Sequence, residues 1–160
     1  MPSEKIVFEQ LLEAVETEQQ GFIEEIHNYL QENGCKSSYE LKKNGPLASY
    51  KYGKPPRTLL NFIFRNGKIL IRIYGENVNK YENFLSALPK EMVNSLRTSG
   101  DCGRLTKNTC STKCSGYDFM IGAEHFQKCR YSCFELLVTE HNNPYIKQFI
   151  NHELDERMGK

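Results

Sequence analysis

The apolar positions change period along the chain, and each change predicts an element. Over residues 3–33 they recur at helical spacing: Leu11, Leu12 and Val15, then Phe22, Ile23, Ile26, Tyr29 and Leu30. Ser3 is the expected N-cap, Gly21 the expected break between two helices, and Asn33-Gly34 the stop. From residue 36 the period drops to two. Tyr39 and Leu41 alternate with polar neighbours, as do Ala48, Tyr50 and Tyr52, and Asn44-Gly45 between them predicts a hairpin.

The strongest local signal comes next. Leu59 to Arg65 and Lys68 to Tyr74 flank Asn66-Gly67, the preferred centre of a two-residue type I′ turn. That turn sets Phe64 opposite Ile69, Phe62 opposite Ile71 and Leu60 opposite Ile73, all on the core face. The opposite face mixes Leu59, Asn61, Ile63, Arg65, Leu70, Arg72 and Tyr74. Helical spacing returns over Asn79 to Leu88, and Pro89 opens a second helix running to about Leu96. Residues 101–116, rich in Gly, Ser, Thr, Asn and Lys, read as loop. Tyr117, Phe119 and Ile121 alternate as a short strand, whereas Tyr131 to Thr139 fits a helix or a strand. Asn143-Pro144 starts a last helix with Tyr145, Ile146, Phe149, Ile150 and Leu154 along one stripe. The predicted architecture is α+β: N-terminal helices, an antiparallel meander of about four or five strands, and C-terminal helices with a cysteine-rich lobe.

Composition narrows this picture. With 160 residues, 39% of them apolar, the chain is expected to form one domain spanning 1–160. Its 21 basic and 20 acidic side chains leave a net charge of +1, which argues against a broad footprint for nucleic acid or anionic lipid. No basic-then-apolar leader and no apolar run of ~18 residues is visible, so the expected compartment is the cytoplasm.

The candidate chemistry lies in the cysteines. Five of six fall between Cys102 and Cys133. Thiols stay reduced in the cytosol, which favours metal over disulfides. The spacing Cys102-x7-Cys110-x3-Cys114-x14-Cys129 supplies the four thiolates of a structural, tetrahedral zinc site, within a lobe over 98–134. Cys133 is the alternate ligand, exchanged for Cys102. An iron–sulfur cluster is the second choice of cofactor, since thiolates bind it too but none of the ferredoxin spacings is present. Arg104, Lys107, Lys113, Lys128 and Arg130 interleave with these cysteines and suit a centre of negative charge.

The functional expectation is a zinc-stabilised binding module. Its partner would be a small molecule or a protein, met on the sheet face at Asn61, Arg72 and Tyr74. The alternative is a thiol-based enzyme or redox sensor using an exposed, low-pKa Cys133 beside Arg130, or Cys35 beside Lys36. Neither a P-loop, a dinucleotide fingerprint nor a nucleophile elbow is found.

Pro89-Lys90-Glu91-Met92, the cysteine run, Gly116-Tyr117-Asp118-Phe119, Lys128-Cys129-Arg130-Tyr131 and the Leu60–Tyr74 segment together resemble a family of small bacterial cysteine-cluster proteins. The helix–sheet–helix order is also similar to the YdhG/YjbR/CyaY-like group, which includes frataxin-type folds. These resemblances imply the α+β fold and no specific activity. Glu13, Glu16, Glu18, Glu24 and Glu25 read as a solvated helix face rather than an iron site.

Overall fold

The computed structural model describes residues 4–106 and 116–160, with Arg104 described by its backbone alone. The expected cap Ser3, the cysteines Cys110 and Cys114, and the cations Lys107 and Lys113 lie outside the described residues.

Strand β1 (Glu4–Lys5) precedes helices α1 (Phe8–Glu13) and α2 (Thr17–Glu32). The break falls at residues 14–16, and Gly21 sits inside α2, where the surrounding turns carry it despite its propensity cost of about 1 kcal/mol. Four strands follow as a meander: β2 (Lys36–Lys42), β3 (Gly45–Tyr52), β4 (Arg57–Arg65) and β5 (Lys68–Ile73). The sheet is completed by β8 (Glu135–Leu137), giving six antiparallel strands in the order β1-β2-β3-β4-β5-β8. The last helix, α6, spans Asn143–Met158.

The Asn66-Gly67 hairpin forms in the expected register, with Phe64↔Ile69, Phe62↔Ile71 and Leu60↔Ile73 as partners. Asn66 (φ 54°) and Gly67 (φ 76°) both take the left-handed conformation that a type I′ turn requires. The six partner side chains are buried in one cluster with Ile23, Ile26 and Leu30 of α2 and Ile146, Phe149, Ile150 and Leu154 of α6. Asn143 of α6 donates to the Gln19 side chain of α2 at 3.1 Å.

Between β5 and β8 the chain makes a long excursion. It runs through a 3-10 turn (Val78–Lys80), α3 (Glu82–Ser86), α4 (Lys90–Thr98), α5 (Gly103–Thr106) and the hairpin β6 (Tyr117–Ile121)–β7 (Glu124–Lys128). Aromatic contacts fasten it to the main body. Phe134 packs against Tyr117, Phe119 and Phe149, and Phe149 against Tyr81 and Phe84. The two-way reading of residues 131–139 resolves as a turn followed by β8, which is only three residues long.

A polar cluster joins α1, α2 and the sheet. His27 Nδ1 lies 2.8 Å from the Tyr50 hydroxyl and 3.2 Å from that of Tyr39, and Phe8 stacks on the imidazole at 3.8 Å. Burial lowers the His27 pKa below 6.5, with Glu9 opposing. The unfolded chain therefore takes up this proton before the folded one does. The stabilisation from neutral His27 is complete above pH 6.5 and is lost as pH falls through that value towards the lower folded pKa. Thermal unfolding followed between pH 7 and 5 is expected to show a falling midpoint, and His27→Gln is expected to flatten that fall. An unchanged pH dependence in the variant would remove His27 as its source.

Candidate functional site

One concavity lies at the end of the sheet, not on its face. It is a cleft of about 540 Å³ bounded by the β3–β4 connection (Tyr52 to Arg57), the segment Glu76–Asn79 after β5, the start of β6 (Gly116–Asp118), Arg130, and Arg157 of α6. Several distant parts of the sequence thus meet at one place.

Its floor is built around a carboxylate. Glu153 of α6 has no solvent exposure. It accepts from the Tyr81 hydroxyl at 2.5 Å, the Asn77 backbone N–H at 3.0 Å, Asn77 Nδ2 at 2.8 Å and Arg157 Nε at 2.9 Å. Arg157 stands one turn after Glu153, the spacing at which helical side chains meet. Its Nη2 donates to the Tyr74 carbonyl at 2.8 Å and its Nη1 to the Arg57 carbonyl at 3.2 Å. The start of β4, the end of β5 and α6 are thereby fixed to one another.

Above this floor, three arginines surround Glu76. Arg130 Nη2 donates to Glu76 Oε1 at 2.6 Å and Arg57 Nη2 to the same oxygen at 2.9 Å, while Arg157 Nη2 lies 3.8 Å from Oε2. Arg130 also stacks over the Tyr74 ring, 5.0 Å from its centroid. Burial works against the Arg130 charge, but Glu76, Tyr117 and Tyr74 more than offset it and hold its pKa above the ordinary arginine value. Gly75 places Glu76: a Cβ on it would stand 3.2 Å from the Phe134 ring and 3.4 Å from that of Phe149. Its N–H donates to the Tyr117 hydroxyl at 3.0 Å.

Asn61 and Arg72 are cross-strand partners and Tyr74 is hydrogen-bonded to Asn61, so the three lie together. Asn61 is buried, donates to Ser49 Oγ at 2.8 Å, and accepts from the Tyr74 hydroxyl at 3.0 Å. Tyr74 is buried as well, with Tyr131 packed edge-on against it. Arg72 pairs with Glu135 of β8 at 3.1 Å and lies 6.0 Å from the Tyr131 ring centroid. The turn carrying Arg130 and Tyr131 therefore covers the polar part of this sheet face.

Three of the five clustered cysteines are described. Cys102 N–H donates to the Gln127 carbonyl and Cys129 N–H to that of Gly100, either side of the Asp101–Lys128 bridge. Cys133 N–H donates to the Cys129 carbonyl, one turn back. All three are thus anchored around the C-terminal end of β7. The Cys102 sulfur lies against Gly116, where any side chain would collide with it. Among the described residues no group of three or more Cys, His, Asp or Glu is placed to hold a metal ion. A four-thiolate site would need Cys110, Cys114 or both, which lie outside the described residues.

Two expected roles change. Lys128 does not face the cysteines as a free cation. Its ammonium donates to the Arg97 and Ser99 carbonyls at 2.7 and 3.1 Å and pairs with Asp101 at 2.9 Å, closing the C-terminal end of α4. Nor is an exposed thiolate found at Cys35 or Cys133. Both are buried, and burial pushes the thiols up to about 11 and about 12 respectively.

The chain matches no protein-family model, no curated protein and no solved structure. No described helix is long and apolar enough to cross a membrane.

Removing the Glu153 carboxylate would leave buried Arg157 with the more distant Glu76, at 3.8 Å, in place of its close charge partner. Glu153→Ala is expected to cost about 3–5 kcal/mol in urea unfolding. A loss under about 1 kcal/mol would show that the floor is not held by this charge.

Proposed function

We propose that the protein is a binding module that takes a small anionic ligand in the arginine-lined cleft. The observation carrying this reading is the convergence of Arg57, Arg130 and Arg157 on one carboxylate at a concave surface. Arginine forks suit carboxylate and phosphate groups, and a half-buried cleft strengthens such pairing relative to open water. Lys54 adds a fourth cation to the wall, against the carboxylates of Glu76 and Asp118. Asp118 is engaged within its own hairpin by His125 at 2.5 Å and Gln127 at 3.3 Å. The ligand surface of this module is thus the cleft rather than the Asn61–Tyr74 face.

The cysteine-rich segment forms one side of the same cleft through Gly116, Tyr117 and Arg130. Structural zinc held by four of the clustered thiolates would fix that wall, with Cys102 and Cys129 supplied by the described part. The reading is supported by the gathering of Cys102, Cys129 and Cys133 around one end of β7, and by the Cys110-x3-Cys114 pair on the intervening segment.

Two measurements test these statements separately. In calorimetric titrations with orthophosphate and with citrate, at least one anion is expected to bind, and Arg130→Gln to weaken it about ten-fold or more. Binding of neither anion, or unchanged binding in the variant, would overturn the cleft reading. For the lobe, elemental mass spectrometry on protein purified without added metal is expected to find about one zinc per chain, with four thiols released by chelation. Absence of metal would remove the zinc and leave the arginine cleft standing.

A further inference from the structure

A second depression of about 490 Å³ lies across the Gly53–Pro56 turn from the cleft, and the two share Tyr52, Lys54 and Arg157. Lys36 and Lys51 line it as well, and no Asp or Glu among the described residues does. Lys36 and Lys51 are direct cross-strand partners in the β2–β3 ladder, so their side chains leave the same face side by side. Like charges directly opposite are unfavourable in a sheet. Salt bridges recorded elsewhere on the surface include Glu40–Lys42 and Glu25–Lys147, yet among the described residues no carboxylate pairs with Lys36, Lys51 or Lys54. Taken together, the two depressions present Lys36, Lys51, Lys54, Arg57, Arg130 and Arg157. Among the described residues only Glu76 and Asp118 oppose them on the walls, on a chain whose net charge is +1.

The geometry points to one continuous trough that takes a condensed phosphate chain. One end sits at the arginines of the cleft, and the other crosses the turn to the Lys36–Lys51 pair. This assignment rests on the anion-binding reading of the cleft and extends it to a ligand class. A single anion can engage only one depression. A chain of linked phosphates brings several charges within reach of both, and its far end relieves the repulsion between the paired lysines. The chain could come as free inorganic polyphosphate or as the tail of a nucleoside polyphosphate, whose flat base would add contact with an aromatic ring such as Tyr52.

The test compares orthophosphate, tripolyphosphate and ATP, without added metal, on the full chain and on the Lys36→Gln/Lys51→Gln variant. Tripolyphosphate is expected to bind about ten-fold or more tighter than orthophosphate. In the double variant that advantage is expected to fall to about two-fold or less, while orthophosphate binding and the unliganded melting midpoint are retained or improved. ATP binding more tightly than tripolyphosphate identifies the nucleotide as the source. Equal or weaker ATP binding identifies the free chain. Equal affinity for orthophosphate and tripolyphosphate, or an advantage that survives in the double variant, overturns the trough and leaves the cleft reading intact. Failure of all three anions to bind overturns both.

Discussion

The fold turns on a carboxylate with no access to water. Moving Glu153 out of solvent is costly, and it is tolerable only because its acceptor sites are filled. Two of the four donors come from Asn77, one from Tyr81 and one from Arg157. A carboxylate offers about four such sites, so the set is complete. The consequence is topological. Asn77 and Tyr81 belong to the stretch where the chain leaves the sheet, and Glu153 and Arg157 belong to the last helix. The buried charge therefore sets where the excursion departs. Arg157, held by the same carboxylate, ties the ends of β4 and β5 to α6.

Aromatic packing completes that joint on its apolar side. Phe134 lies just before β8 and touches both the β6–β7 hairpin and Phe149 of α6. Gly75 admits these rings closely and passes its N–H to Tyr117. The cleft is what remains between two rigidly positioned walls. This accounts for its lining by short segments at the ends of elements, which is where ligand sites commonly collect.

What was legible in the sequence follows from the range of the interactions responsible. The Asn66-Gly67 turn dictates its own backbone, so the partners Phe64–Ile69, Phe62–Ile71 and Leu60–Ile73 and the buried face could be read directly. The start of α6 at Asn143-Pro144 is local in the same way. The place of β8 beside β5 was not legible, because its three residues carry too little periodicity to separate strand from helix. The two-residue β1 had no signal at all. The candidate site was least legible. Arg57, Glu76, Arg130 and Arg157 share no motif, and 100 residues separate the first from the last. The pattern did bring Asn61, Arg72 and Tyr74 to one face, but it could not show that Tyr131 and Arg130 fold over them. The cysteine cluster was plain in sequence, and the described structure gathers three of its members without closing a metal site.

The near-zero net charge illustrates a related limit. It argues against a broad electrostatic footprint and says nothing about how charge is arranged locally. Here the acidic side chains are spent in pairs across much of the surface, while the β3–β4 turn is flanked by cations. Glu76 sharpens the consequence for recognition. It already occupies hydrogen-bond donors of both Arg57 and Arg130, so a singly charged ligand gains only the attraction left after this internal carboxylate. A ligand with several linked charges is less handicapped, because its remaining groups meet Lys36 and Lys51, with which no carboxylate among the described residues pairs. The arrangement therefore discriminates by charge number and reach rather than by the shape of any one anionic group.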